Sequence, residues 1–301
     1  MSWDWSEEIG TAPGLSGDAI ELAQLLEDVH FIRRVHFFEE VDSTSQWLLR
    51  MLEAARSPAG LDGTLVVADY QTHGRGRHRR SWQAPRDKAI LMSVLLTASD
   101  VAKRLAAGGV EEPERYLAMI VPLAVVEAIR GETGLEATIK YPNDIMLGSR
   151  KCGGILIERS ARFADAFVVG IGINVNQHAD ELPPTSHVPP TSLAAASGRH
   201  WNRWMLVRGI LTHLSRWWYS PDGAKAAQKM NEFCHTVGRH VRVRLADGEI
   251  EGLAVGVSEC GGLLVRLDTG VIAEVLSGDV RELLIDGASG TDQSPGSEER
   301  R

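Results

Sequence analysis

The hydrophobic texture of the chain changes once, near residue 235, and this limits its architecture more than any other feature. Before that point, apolar runs of strand length lie among segments with helical spacing. From Val237 onward, short runs alternate apolar and polar residues: VRVRL, EIEGLAVGV, LLVRL and VIAEV. A period of two marks strands with one buried face. Asp247-Gly248 lies between the first two runs as a tight hairpin turn, and Gly261-Gly262 and Thr269-Gly270 separate the others. Residues 235–286 are therefore expected to form a small β-barrel, a unit of different class from what precedes it.

The earlier part reads as mixed. Helices are predicted from Asp18 to about His30, over Leu206 to Tyr219 and over Gly223 to Cys234. Strands are predicted at Val35–Val41, Thr64–Tyr70, Ala89–Leu96, Thr138–Tyr141, Gly154–Glu158 and Phe167–Val175. Asp42-Ser43-Thr44 opens a helix with Asp or Ser as its cap, turning Trp47, Leu48, Met51 and Leu52 inward. Tyr116 to Arg130 has helical spacing, with Pro122 expected to kink the helix or mark its start. Pro183 to Pro190 is a proline-rich loop, and Trp201, Trp204, Trp217 and Trp218 are assigned to the core. Strict strand–helix alternation is absent, which disfavours a doubly wound sheet and leaves an α+β unit over residues 15–234. The polar ends, 1–14 and 287–301, are expected to be disordered.

Composition narrows the function. With 301 residues, 44% of them hydrophobic, a sizeable core is available. No apolar run is long enough to span a bilayer, and the start MSWDWSEEIG lacks a secretory signal pattern, so a cytoplasmic protein without membrane partners is expected. The three cysteines, Cys152, Cys234 and Cys260, lack metal or disulfide spacing and are expected to be free thiols. A net charge of −8 argues against a general nucleic-acid binder.

Against that acidic background stands a basic glycine segment, Gly74 to Trp82 (GRGRHRRSW), between two predicted strands. Glycine backbone can approach a ligand closely, and arginine forks suit phosphate or carboxylate. Trp82 offers a flat face to a base. A solvated basic loop or an RNA contact has the same composition. Three further segments carry polar residues in unusual places. Lys140-Tyr-Pro-Asn-Asp144 precedes Lys151-Cys-Gly-Gly-Ile-Leu-Ile-Glu158, where Lys151 stands at the mouth of a glycine-led strand. Asn143 and Asp144 fall in a turn after Pro142, which they cap or use for a ligand. Gly170-Ile-Gly-Ile-Asn-Val-Asn176 alternates glycine within a strand, a sign of a bulge or of close ligand approach. Ser43 and Thr44 at a helix start fit capping, anion contact or both.

In this order the segments resemble biotin protein ligases: DST, Gln71 followed by GRGR…W, KYPND, RKCGGILIE and GIGIN, over about Val35 to Asn176. The resemblance implies a class II aminoacyl-tRNA synthetase-like catalytic domain with a C-terminal SH3-like β-barrel. It implies a two-step reaction: biotin and Mg-ATP give biotinyl-5'-AMP and pyrophosphate, and a lysine of a biotin carboxyl carrier protein domain then takes the biotin. Lys151 and Arg77 would be catalytic. Ser43, Thr44, Gln71, Gly74, Arg75, Arg77, Lys151, Gly154 and Gly172 would bind biotin. Arg77, Arg80, Trp82, Lys151 and Asn174 would bind ATP, and Asp144 would help hold magnesium. The basic loop is expected to move until ligand binds. Two positions depart from the pattern: Arg79 stands where a glycine is frequent, and Tyr141 replaces the commoner tryptophan. About 35 residues precede the first core strand, short for the winged DNA-binding domain of some members, so no DNA partner is expected. A monomer or weak homodimer fits. A lipoate or octanoyl transferase of the same fold and a non-catalytic nucleic-acid-binding module are the rival readings.

Overall fold

The computed structural model describes residues 17–183, 188–245, 248–276 and 279–283. The readings for 1–14, for 287–301 and for the turn at Asp247 lie outside the described residues. Seven strands form one mixed sheet: β1 (Arg34–Phe38), β2 (Thr64–Ala68), β3 (Ala89–Thr97), β4 (Ala137–Lys140), β5 (Asp144–Leu147), β6 (Arg150–Arg159) and β7 (Ala166–Asn174). Their spatial order is β1-β2-β3-β7-β6-β5-β4. β1 and β2 run parallel, and the other neighbours are antiparallel.

The two faces of this sheet have different tasks, and β7 shows how its residues divide them. Val169, Ile171 and Ile173 belong to the main core. The alternate residues Gly170 and Gly172 face the other way, because side chains in a strand alternate in direction. On the core face lie α4 (Pro113–Thr133) and α6 (Arg203–Tyr219), which pack on each other. On the opposite face α2 (Thr44–Ala54) buries Leu48 and Leu52 against Val66, Leu95 and Val168. It covers only the β2–β3–β7 side, so the glycine-bearing part of the face stays open. The remaining helices are α1 (Gly17–Leu25), α3 (Ala102–Ala107), α5 (Leu193–Ser197) and α7 (Gly223–Phe233).

Several expectations needed correction. α1 ends at Leu25, although Leu26 and Val29 are still buried through the following turns. Pro122 neither starts nor ends its helix; Pro113 occupies the first turn and the helix runs to Thr133 around the buried Pro122. β5 was not foreseen. Asp144, read as part of a turn, opens this strand and pairs with both Lys140 and Gly154. Gly170 and Gly172 make no bulge, since β7 is in regular register with both neighbours.

The C-terminal unit is a five-stranded antiparallel sheet, β8 (His240–Arg244), β9 (Glu249–Val257), β10 (Leu263–Arg266), β11 (Ile272–Val275) and β12 (Asp279–Glu282), in the order β11-β10-β9-β8-β12. The last strand was not foreseen. The β8–β9 hairpin closes with Leu245 N–H on Gly248 O at 2.8 Å. The unit begins as an extension of the edge strand β4: Ile139 bridges Cys234, and His235 N–H donates to Ile139 O at 2.7 Å. All three cysteines are free, with Cys152 and Cys234 buried. Among the described residues no helix is long and apolar enough to cross a membrane.

Candidate active site

Strand register lays out the floor of the site. Leu91 pairs with Gly172, Gly172 with Gly154, Gly154 with Asp144, and Asp144 with Lys140. Directly paired residues share a face. One row thus crosses β3, β7, β6, β5 and β4, about 19 Å at four strand spacings. Two glycines at its centre leave a trough, and a cavity of about 700 Å³ lies over it. That size suits a small ligand or a cofactor.

One end of the trough is closed by the start of α2. Ser43 caps this helix, its side chain accepting from Gln46 N–H. The Thr44 N–H and hydroxyl both donate to Gln71 Oε1, at 2.8 and 3.1 Å. The Thr44 and Ser45 hydroxyls each meet Ser93 Oγ, at 2.7 and 2.9 Å. Gln71 Oε1 is thereby committed as an acceptor, which orients the amide NH₂ as a donor with no hydrogen-bond partner among the described residues. Ser45 and Ser93 were missed from the sequence. Ser93 left a signal there, being a polar residue inside the buried run AILMSVLLT, where a hydroxyl needs a partner. Gly170 belongs to the same end, since a Cβ on it would stand 2.6 Å from Ser45 Oγ.

The middle of the trough holds the charged groups. Trp82 lies across both floor glycines: a Cβ at Gly172 would come within 2.6 Å of its indole, and one at Gly154 within 3.2 Å. Its Nε1 is buried with no hydrogen-bond partner among the described residues. The Lys151 ammonium stands 5.9 Å from the Trp82 ring centre and 2.5 Å from Asp144 Oδ1. Lys151 is held by its backbone as well, its N–H donating to Pro189 O and its carbonyl accepting from Thr191 N–H. Arg77 donates to Asn143 Oδ1 at 2.9 Å, and Asn143 Nδ2 in turn donates to Ile155 O at 2.9 Å. The basic loop therefore reaches the floor through one side-chain relay.

The loop itself is a small hairpin. Gly76 N–H donates to Arg80 O, and Trp82 N–H to Gly74 O. Gly74 is a glycine for an internal reason: a Cβ there would overlap the Trp82 carbonyl. Arg75 lines the cavity and pairs with Glu158 at 3.0 Å. Arg80 lines the cavity with an exposed side chain. The turn residue with left-handed backbone is His78, φ 55°, so the missing glycine at 79 creates no strain at 79. The Arg79 side chain lies outside the described residues. Asn174 also lines the cavity, but both ends of its amide are engaged by the protein, Nδ2 on Thr191 O and Oδ1 from Gln177, each at 3.0 Å. It fixes the chain after β7 against the segment that carries Thr191.

The far end of the cavity is formed by Lys140, Tyr141 and, from the C-terminal sheet, Val280, Arg281 and Glu282. Arg75, Arg77, Arg80, Lys140 and Lys151 line the cavity, against the carboxylates Asp144 and Glu282. An acidic chain has gathered its cations around one hollow. With a serine-lined donor and acceptor end, an indole-covered trough and a cationic middle, the cavity offers hydrogen bonds at one end and positive charge for an anionic group beside it.

Comparison with known proteins agrees with this geometry. Residues 37–176 match the Biotin/lipoate A/B protein ligase family, and residues 236–281 match the Biotin protein ligase C terminal domain. The chain is 32% identical over 248 residues to the bifunctional ligase/repressor BirA of Bacillus spizizenii, covering 81% of this chain and 72% of that protein. The chain belongs to the biotin protein ligases. The biotin--[acetyl-CoA-carboxylase] ligase of Mycobacterium tuberculosis is 32% identical over 246 residues, covering 77% of this ligase and 84% of that one. A solved biotin protein ligase from Aquifex aeolicus, in complex with biotin and ATP, superposes with a TM-score of 0.69 at 31% identity. It covers 83% of this ligase and all of that chain.

Away from the cavity, the ligase has a second charged cluster at the feet of the basic loop. Carboxylate oxygens of Asp18, Asp69 and Asp87 lie within 4.8 Å of one another. Arg203 is inserted among them, 3.0 Å from Asp69 and 3.2 Å from Asp18. Burial pushes Asp69 up to about 6, with Arg203 acting in the opposite direction. Asp87 N–H donates to Asp69 O at 3.2 Å, which brings the two feet together.

Proposed function

We propose that this ligase joins biotin to ATP along the trough, forming biotinyl-5'-AMP, and then passes biotin to a lysine of a biotin carboxyl carrier protein domain. The observation that carries this reading is the single row from Leu91 to Lys140, which gives both substrates one floor with Lys151 and Arg77 at its midpoint. A biotin ureido ring carries one acceptor and two donors. The hydroxyls of Ser43, Thr44 and Ser45 and the Gln71 amide match it at the closed end, with Ser93 behind them holding the Thr44 and Ser45 hydroxyls. The valeryl chain then lies over Gly172 and Gly154, with its carboxylate beside Lys151. In the first step a carboxylate oxygen attacks the α-phosphorus and the bond to pyrophosphate breaks. Two anions must meet, so Lys151 and Arg77 lower their repulsion and stabilise the charge that builds at phosphorus. Holding the reactants in one groove contributes the entropic part. In the second step a lysine amine attacks the acyl carbon and AMP leaves.

Trp82 must move off the glycines to admit the valeryl chain, and it then covers the adenylate and shields it from water. Arg75 keeps the loop in register through Glu158, and Arg80 meets phosphate. Gly74 and Asn174 act through structure: Gly74 lets the loop hairpin close, and Asn174 holds the nucleotide wall. Magnesium favours one or two carboxylates plus substrate phosphates. Asp144 fits this, since its Oδ1 is used by Lys151 and its Oδ2 has no hydrogen-bond partner among the described residues. When bound there with ATP, magnesium supplies further charge neutralisation on the phosphates. The catalytic unit runs to residue 234, and the unit from 235 closes the nucleotide end.

The test is pyrophosphate release. It is expected to require both biotin and ATP, and to fall at least about a hundredfold in Lys151→Ala, the scale of losing one stabilising charge. Biotin binding measured by calorimetry should persist in that variant, weakened. Pyrophosphate release with lipoate in place of biotin would move the assignment to the lipoate branch of the family. Failure to bind either acid would leave a non-catalytic module.

A further inference from the structure

Tyr141 joins the two units at the point where the trough meets the C-terminal sheet. Its phenol is buried and donates to Gly261 O at 2.9 Å, with Val275 O at 3.3 Å. Gly261 precedes β10, and Val275 ends β11. Its backbone N–H donates to Thr236 Oγ1 at 3.1 Å, and the Thr236 hydroxyl donates to Glu282 Oε1 at 3.1 Å. Thr236 is fully buried. Glu282 is held further by His235 Nε2 at 3.5 Å and Arg239 Nη1 at 3.6 Å. One residue therefore fixes both sides of the C-terminal sheet, the β10–β11 side by its side chain and the β12 end by its backbone. Pro142 follows it, and then come Asn143, which holds Arg77, and Asp144, which holds Lys151.

The direction of the trough decides which substrate this concerns. The serine-lined end lies at β3 and β7, whereas Tyr141 follows β4, about 14 Å from Gly172 at three strand spacings. The end that the C-terminal sheet closes with Val280, Arg281 and Glu282 is the one left for the nucleotide once biotin occupies the other.

We propose that Tyr141 is a positioning residue for the nucleotide: its hydroxyl locks the C-terminal sheet as the far wall of the cavity and sets the affinity for ATP without touching biotin. This rests on the functional reading above. Burial pushes the Tyr141 hydroxyl up to about 12, so it remains a donor throughout the working pH range. Tryptophan, the commoner residue here, also carries a single donor on a flat ring, which suits the same duty.

The test is Tyr141→Phe, which removes the donor and keeps the ring. The KM for ATP and the calorimetric Kd for ATP are expected to rise about fivefold, the equivalent of one hydrogen bond. The KM for biotin should stay within about twofold, and melting should remain cooperative. Thr236→Val cuts the second link without altering the tyrosine, and it is expected to weaken ATP in the same selective way. In the double variant the two effects should combine to less than their product, because both links hold one wall. Tyr141→Trp should restore part of the ATP affinity lost in Tyr141→Phe. An unchanged ATP Kd in both single variants, or an equal rise for biotin, overturns the proposal. If the parent protein binds ATP but releases no pyrophosphate, the functional reading fails instead. The calorimetric comparison still decides the role of Tyr141.

Discussion

The floor of the cavity and the loop above it are both rich in glycine and lysine or arginine, yet they are held in opposite ways. The floor glycines, Gly154 and Gly172, belong to strands hydrogen-bonded on both sides, and Lys151 is pinned by its backbone to residues 189 and 191. The loop from Gly74 to Trp82 closes mainly on itself. It reaches the rest of the protein through Arg77 on Asn143, Arg75 on Glu158 and the Trp82 ring on the glycines. A backbone ladder tolerates little displacement, whereas a few side-chain contacts can be broken and remade within a catalytic cycle. The same residue types are held by a backbone ladder in one place and largely by side-chain contacts in the other.

The strongest way to break this contrast is to put a side chain on the floor. Gly172→Ala places a Cβ within 2.6 Å of the Trp82 indole, so the cover cannot settle. We expect kcat/KM to fall about a hundredfold, since displacement by an ångström can cost that much. Tryptophan fluorescence should shift while cooperative unfolding is retained. Normal kinetics in Gly172→Ala would show that the valeryl chain does not lie over Gly172.

Asn143→Ala attacks the relay that ties Arg77 to the floor. Hydrogen bonds to charged groups contribute about 1.5–3 kcal/mol, so a loss of roughly tenfold in kcat/KM is expected. Amide exchange should quicken across residues 74–82 and stay slow in β6 and β7. Uniformly faster exchange would mean that Asn143 supports the sheet instead.

The feet of the loop provide a pH test. Asp69 is raised from 3.8 to about 6 by folding, so the folded protein takes up this proton first as pH falls. Its contribution is fully present below pH 4 and is lost as pH rises through 6. Relative to Asp69→Asn, the parent should lose roughly a few degrees of Tm between pH 4 and pH 6.5. Parallel Tm curves for the two proteins would contradict the assignment. The smallest effect is expected at Arg75→Ala, because a half-exposed ion pair contributes about 0–1 kcal/mol. Its Tm should barely change, and faster exchange in the loop would be the main sign of the lost Glu158 contact.

Local features were legible in the sequence wherever the cause was local. Ser43 as a cap, the buried strands around Val66 and Leu95 and the alternating C-terminal runs follow from side-chain chemistry and period. β5 was not legible because its four residues, Asp144–Leu147, follow a proline turn and hold too few apolar positions to show a period. β12 is equally short. Pro122 is expected to kink its helix or mark its start because its missing N–H is a local cost; the helix starts at Pro113 instead, since the buried residues from Leu117 to Ile129 outweigh that cost. The left-handed residue in the loop is His78, because the hairpin between Gly76 and Arg80 sets where the turn falls.

The sequence by itself determined the residue types of the site and their order along the chain, since hydrophobic period and the ordered motifs are one-dimensional properties. Only the tertiary structure decided which of those residues meet. Strand register placed Gly172, Gly154, Asp144 and Lys140 in one row. Packing laid Trp82 over the glycines. Contacts spanning 120 and 134 residues brought Tyr141 to Gly261 and Val275. Such pairings depend on the closure of long loops and on the burial gained across the whole core. No local pattern records that balance, so the positions of the cations were readable early, but their partners and the far wall of the cavity were not.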